Sequence, residues 1–541
     1  MHRVYRIFAL FALLCGIINA FNLHELEGKP KGIARDFYLY LYLQDSDTLS
    51  KEDALKIYHL IDNKTPKIMQ FLIPKLPLDL LPKAEQCRAK SFAELQKSDD
   101  ECFNAGFRLD YAYLLKPKDI KRLTSQKTQS RIKILQIKNK GKILEAILEE
   151  SGEEFSAIFN AISSKNAIFN SAPKNLKKLS HKNYDKTLYN MIVSRKYPKF
   201  STALLKENIV GVNDWSFYAL GLNELDKGDL KKAAKYFENA ANVASFKLMR
   251  DKSHFWVYKI NEILNNKKKS DEFLLTLSQS TNFNLYSLFA VKKLQAQPKY
   301  HIVSEDSEIF KNIKPSIKAP LNLSNPFEWQ RLRSEIVSIK DKESLIKIAK
   351  IFHHKDTIPH LTFILNRYFN FQKSFFVKPY KSDLIFDDEN LVYAVARQES
   401  AFIPAVISRS YALGMMQIMP FNVDNFAKAL KAENITMDSM FEPKISLQFG
   451  DYYLSHLKKE FKHPLFVSYA YNGGPTFIRN FLKNDAVFSA KNRLDPWISM
   501  EFIPYEESRF YAFSVMANYI VYNDIDGHSV DIEDFLNQVL R

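Results

Sequence analysis

Glu399 is the residue of this 541-residue chain best placed for acid–base work. In LVYAVARQESAF (391–402), Val392, Val395, Ala396 and Glu399 fall on one helical stripe, within about 100° of one another. A carboxyl on an apolar stripe is partly desolvated, which favours its neutral, protonated form. Pro404 cannot continue the helix, so the negative end of the helix dipole lies close by and acts in the same direction. A carboxyl that keeps its proton near neutral pH can serve as a general acid. The alternative is a surface glutamate on a helix turned the other way.

Uncharged hydrogen-bonding groups follow. ISRSYALGMMQIMP (407–420) sets Ser408 and Gln417 around a loop containing Gly414, ahead of an apolar, methionine-rich turn. Such groups suit a neutral polyol or amide ligand; otherwise they cap the loop. SYAYNGGP (468–475) ends an apolar helix in a Gly-Gly-Pro stop, with Tyr471 and Asn472 at its edge. Tyr471 either stacks on a sugar ring or fills the core. EFIPYEESRFYAFSVMANYIVYN (501–523) places Glu501 before Pro504 and runs into a further amphipathic helix. Ordinary glycosidases use two carboxylates. No Asp or Glu lies between Ser400 and Val423, which is compatible with a nucleophile carried by the substrate itself.

The elements that must hold these groups are helices. Glycine occurs only 14 times, a scarcity that argues against nucleotide folds and β-sandwiches and for helices joined by short polar loops. With 46% hydrophobic and 26% charged residues, the chain is neither disordered nor a bundle of membrane spans. At about 150 residues per domain, two to four domains are expected. From about 34 to 300 the pattern is helix, short polar break, helix. DWSFYALGLNELDKGDLKKAAKYFENAANVA (214–244) is its clearest unit, with Lys227-Gly228-Asp229 as the turn, and resembles a tetratricopeptide hairpin. No strict period extends it, so an irregular α-superhelix is expected. Four prolines in 297–327 mark a boundary, a helical segment follows, and FFVKPYKSDLIFDDEN (375–390) makes a second break.

Residues 1–20 combine Arg3 and Arg6 with an apolar run too short to span a bilayer comfortably, so they are expected to be a targeting segment cleaved after Ala20. Their removal takes away two arginines and no acid, so the formal charge falls from +16 to +14, which favours an acidic partner. Cys87 and Cys102 then remain for an oxidising compartment, either as a disulfide or as two separate thiols. The basic stretch between Lys116 and Lys142 is best taken as a solvated helix face, and nucleic acid is not an expected partner. No phosphate loop, GxSxG elbow or dinucleotide fingerprint occurs, and NDIDGHSVDIE (523–533) has Tyr522 where a calcium loop needs its first ligand. No cofactor or metal is implied.

RQESAF, then Ser408 and GMMQIMP, then AYNGGP, then Glu501-FIPYEESRFY, in this order and at these spacings, resemble the soluble lytic transglycosylase family. FEPKISLQFGDYYLSHL (441–457), with Pro443 and Gly450, resembles the family's helix entry. The motifs cover about 150 residues at the C-terminus, and the helical N-terminal half is similar to the large subtype. The resemblance implies an all-α protein: an irregular α-superhelix over 21–300, which in that subtype closes into a ring, a linker domain over 301–375, and a lysozyme-like catalytic domain over 376–541. It implies periplasmic cleavage of the β-1,4 bond between N-acetylmuramic acid and N-acetylglucosamine, leaving a 1,6-anhydromuramyl end. Glu399 matches the catalytic acid that then turns base, and Ser408, Gln417, Met419, Tyr471, Asn472 and Glu501 match residues of the substrate cleft. Its partner is then peptidoglycan, glycan strands with peptide stems, and the protein is expected to be monomeric; cell-wall synthesis or turnover enzymes are further candidate partners. Two competitors stand beside this reading: a muramidase on the same fold, and a non-catalytic peptidoglycan-binding scaffold. This chain departs from the family pattern at Tyr411, usually glycine, at Met415, usually leucine, and at Ser446, often asparagine.

Overall fold

The computed structural model describes residues 21–46, 48–138, 140–163, 165–315, 322–381 and 384–541, and the expected targeting segment 1–20 lies outside them. Helices dominate, as the glycine scarcity predicts. Among the described residues the strands are His301–Ser304 and Lys373–Phe376, a parallel pair with His301 opposite Lys373.

The chain forms two compact units, each assembled from separate stretches. The first takes residues up to 77 together with 300–478 and 511–530; the second takes 78–299, 479–510 and 531–541. Both units draw on stretches far apart in the sequence. The reason is long-range burial. The helix Ile33–Asp45 buries Phe37 and Leu39 completely, and its Tyr38 stacks on Phe327 at 5.4 Å and donates a 2.7 Å hydrogen bond to Asp438. Residues 21–77 thus share a core with the segment that carries Glu399.

In the second unit the hairpin expected at 214–244 is present as Asp214–Lys227 and Leu230–Asn242. Gly228 turns it with φ of 92°, and Asp229 caps the second helix through the Lys232 amide. A Cβ on Gly221 would stand 2.8 Å from the Phe237 ring, so the helices cross closely only because that residue is glycine. Cys87 and Cys102 are disulfide-bonded, with Cα atoms 5.1 Å apart, joining the helices Lys83–Ala89 and Asp100–Gly106.

Four helices of the first unit start on proline: Pro326–Ser338, Pro420–Leu430, Pro443–Phe461 and Pro464–Gly473. Proline suits a first helical position because its missing N–H would have no intrahelical partner there.

Candidate active site

The helix Glu389–Ser400 begins at the Asp388 cap and buries every residue from Leu391 to Ala396. Ala401 and Phe402 then adopt left-handed backbone conformations, with φ of 50° and 66°, and stop the helix directly after Ser400. Arg397 anchors its last turn by donating to the Phe375 carbonyl at 2.9 Å and to Asn518 at 2.5 Å, with its guanidinium 4.1 Å from the centre of the Phe376 ring. Ser400 donates to the Met415 carbonyl at 2.7 Å and so ties the helix end to the following loop. Glu399 is therefore held at the C-terminal end of a rigid, mostly buried helix, half-buried itself.

Its Oε1 accepts a 2.7 Å hydrogen bond from the Tyr511 hydroxyl. Burial, reinforced by the Glu399 charge, holds the hydroxyls of Tyr511 and Tyr471 well above the ordinary tyrosine range, so both stay protonated donors. Tyr471 donates to the Met416 carbonyl at 2.6 Å, and its ring packs on Tyr453 at 5.3 Å. Tyr511 was not among the expected site residues. It closes the FIPYEESRFY motif, where alternating aromatic and charged residues gave no reason to prefer it.

The loop 406–418 is shaped by its own polar groups. Ser408 Oγ accepts from the amides of Ser410 at 3.2 Å and Ala412 at 2.9 Å, and Gln417 Nε2 donates to the carbonyls of Gly414 at 2.7 Å and Val406 at 3.3 Å. Single antiparallel bridges join Leu413 to Ile407 and to Ile418. Gly414 has φ of 70°, and a Cβ there would lie 1.8 Å from the Met440 carbonyl oxygen, so the loop tolerates only glycine. Ser446, one of the departures, is fully buried and accepts from the Met416 amide at 3.1 Å, seating the loop on the helix Pro443–Phe461. Met419 and Asn472 are half-buried at the ends of their elements.

Tyr411 is fully buried with φ of 64°. Its ring packs against Phe37 at 5.7 Å and Tyr40 at 5.0 Å, with Lys67 Nζ 5.2 Å from its centre. Lys67 also donates to the Ser410 carbonyl at 2.8 Å. The Tyr411 side chain fastens the loop to residues 37–67.

Glu501 is a further residue expected in the cleft. It belongs to the second unit, is 1% exposed, and accepts hydrogen bonds from Tyr218 at 2.8 Å and Tyr286 at 2.7 Å while pairing with Lys252 at 3.4 Å. Burial alone would raise its carboxyl, but Lys252, the two tyrosines and Arg509 hold it below the ordinary value. Those partners meet its acceptors within the second unit, so it is the centre of a buried polar cluster there.

Beside Glu399 lies a cavity of about 560 Å³, walled by Gln398 to Ala401, by Ile403 to Ile407 in part, by Pro326, Trp329, Gln330 and Arg333, and by Ile33, Ala34 and Asn63. Arg397, Arg409 and Phe363 complete its lining. Glu399 is the one acid in that lining among the described residues. Gln417 and Tyr471 are not among its walls.

The family profile described as "Transglycosylase SLT domain" matches residues 386–494. The soluble lytic murein transglycosylases of Salmonella typhimurium and Escherichia coli K12 are each 34% identical over 131 residues, 24% of this chain and 20% of theirs. The membrane-bound lytic murein transglycosylase C of Salmonella typhi is 29% identical over 144 residues, 24% of this chain and 40% of that one. The chain thus spans about a fifth of the length of the soluble relatives it matches. Among solved structures, an inactive mutant of the Pseudomonas aeruginosa lytic transglycosylase Slt aligns over 98% of this chain and 85% of its own, at 15% identity and a TM-score of 0.48. The 70 kDa soluble lytic transglycosylase of Escherichia coli aligns over 96% and 84%, at 16% identity and 0.45. Residues 386–494, which hold Glu399 on its capped helix and the Gly414 loop against it, are thus similar to the transglycosylase SLT domain.

Proposed function

We propose that this chain is a peptidoglycan lytic transglycosylase that cleaves the β-1,4 bond between N-acetylmuramic acid and N-acetylglucosamine and leaves a 1,6-anhydromuramyl end. The observation that carries the reading is Glu399: a carboxyl at the end of a buried helix, oriented by Tyr511 at 2.7 Å, and the one acid lining the adjoining cavity. Glu399 first gives its proton to the glycosidic oxygen as the bond from that oxygen to the muramyl anomeric carbon breaks. The muramyl 6-hydroxyl then attacks the same carbon and returns a proton to Glu399. One bond breaks and one forms, no water is consumed, and the same carboxyl acts as acid and then base. A hydrolytic inverting enzyme would need a second carboxylate about 6.5–9.5 Å away to activate water.

Tyr511 keeps the carboxyl in one orientation through both steps. Ser408, Gln417, Met419, Tyr471 and Asn472 supply hydrogen bonds and a ring face along the glycan, with Ser408 near the N-acetyl group whose carbonyl assists departure. On this reading the protein works in the periplasm, where the targeting segment expected in residues 1–20 would send it.

Mass spectrometry of fragments released from purified peptidoglycan tests the reading, with Glu399→Gln beside the wild type. Fragments at the anhydro mass, absent with the variant, are expected. Fragments heavier by one water would make the protein a muramidase, and no release by the wild type would leave a glycan-binding scaffold.

A further inference from the structure

Arg333 and Arg409 stand on the rim of the cavity beside Glu399, exposed, with no hydrogen-bond or ion-pair partner among the described residues. The third arginine of that lining, Arg397, is committed to the Phe375 carbonyl and Asn518. Positive charge on the rim is therefore answered within the lining only by Glu399.

Both free guanidinium groups stand on backbone that is fixed. On the helix Pro326–Ser338, Trp329 is 8% exposed and packs with Ile403 and Ala405 in a small core shared with Phe363. One residue on, Gln330 donates to the Lys31 carbonyl and accepts from the Ala34 amide at 3.3 Å. Those two residues set the rotation of the helix, and Arg333, one turn after Gln330, is turned toward the cavity by the same setting. Arg409 lies inside the turn that Ser408 caps at 408–412, next to Ser410 and Tyr411, which Lys67, Phe37 and Tyr40 hold. Two unpaired arginines on fixed backbone, lining one concave site, give it two guanidinium groups free to take planar anions.

We propose that Arg333 and Arg409 form a carboxylate-binding subsite of this site, supplied by the helix before the catalytic segment and by the 408–412 turn. The proposal rests on the glycan reading given above, because the substrate of that reading carries carboxylates in two places: on the peptide stem, and on the muramyl lactyl group where the stem has been removed. Gln330 and Tyr411 are positioning residues for the two arginines.

The test is equilibrium binding by calorimetry at low and at physiological salt, using the full chain with Glu399→Gln so that ligands survive. Three ligands are compared: a stem-bearing muramyl disaccharide, the stem-free disaccharide with a free lactyl carboxylate, and an uncharged N-acetylglucosamine disaccharide. Adding Arg333→Ala and Arg409→Ala is expected to weaken the carboxylate ligands about tenfold relative to the uncharged one, with much of the effect screened by salt. A loss confined to the stem-bearing ligand assigns the stem as the source, and a loss confined to the stem-free one assigns the lactyl group. Arg333→Lys with Arg409→Lys should recover part of the affinity. Equal affinity ratios in the parent and the double alanine variant would overturn the proposal. Fragment release by the wild type, measured separately, decides the transglycosylase reading, so the two can fail independently.

Discussion

At the scale of single residues, the site depends on one carboxyl and on what fixes it. Tyr511 donates to Glu399 at 2.7 Å and is buried enough to remain protonated across the working range. Tyr511→Phe keeps the ring and removes only that donor, so the fold should survive while the carboxyl loses its orientation. Release of anhydro fragments is expected to fall about tenfold, the effect of one charge-assisted hydrogen bond, with the melting temperature nearly unchanged. A variant as active as the wild type would show that Glu399 needs no partner. Glu501→Gln separates a structural carboxylate from a catalytic one. It leaves Lys252 and Arg509, exposed by only 2% and 1%, without a counter-charge, a loss of about 3 kcal/mol or more. Because its partners hold the Glu501 carboxyl below its ordinary 4.5, this stabilisation is present above that pH and disappears as pH falls through the lowered folded value. Melting curves from pH 3 to 7 should therefore show a wild-type acid slope that is reduced in Glu501→Gln, and identical slopes would contradict the buried-pair account.

At the scale of elements, legibility followed sequence distance. The Glu399 helix was readable because apolar spacing and Pro404 are local signals, and the 214–244 hairpin because small residues and a Lys-Gly-Asp turn repeat at helical intervals. The partners of both carboxylates lie far along the chain. Tyr511 is 112 residues from Glu399, and Tyr218 is 283 from Glu501, so neither contact leaves a local periodicity. Tyr411 is the clearest instance: in sequence it is an oversized residue at a glycine position, and in the fold it is the plug between a loop and the helix Ile33–Asp45. Tyr411→Ala should therefore cost about 3 kcal/mol from the lost ring. Limited proteolysis should cut residues 21–77 faster in this variant, whereas Tyr411→Phe should behave like the wild type. Unchanged protection in Tyr411→Ala would mean that the loop and the helix are held together by other contacts.

At the scale of the whole molecule, the unit that contains the site is discontinuous, and that has a direct consequence for any fragment. A piece cut at the expected boundary, 376–541, would carry every motif of the family resemblance. It would lack the helix Ile33–Asp45 that covers Tyr411, Tyr38 that bonds Asp438, and the helix Pro326–Ser338 whose Trp329 packs on Ile403 and Ala405. Each loss opens apolar surface that the folded chain buries, at about 25 cal/mol per Å². Against a domain stability of about 5–15 kcal/mol, three such openings leave little reserve. The fragment is expected to be soluble only poorly, to lack a cooperative melting transition and to release no anhydro fragments. Supplying residues 21–77 and 300–375 in the same chain, joined by a flexible linker across the excised 78–299, should restore a transition and part of the activity. If 376–541 alone melts cooperatively and cleaves peptidoglycan, the N-terminal helices are an accessory cover on a self-sufficient domain. If the rejoined protein is folded but inactive, Glu399 depends on the second unit as well, and the carboxylate subsite at Arg333 and Arg409 must be studied in the full chain alone.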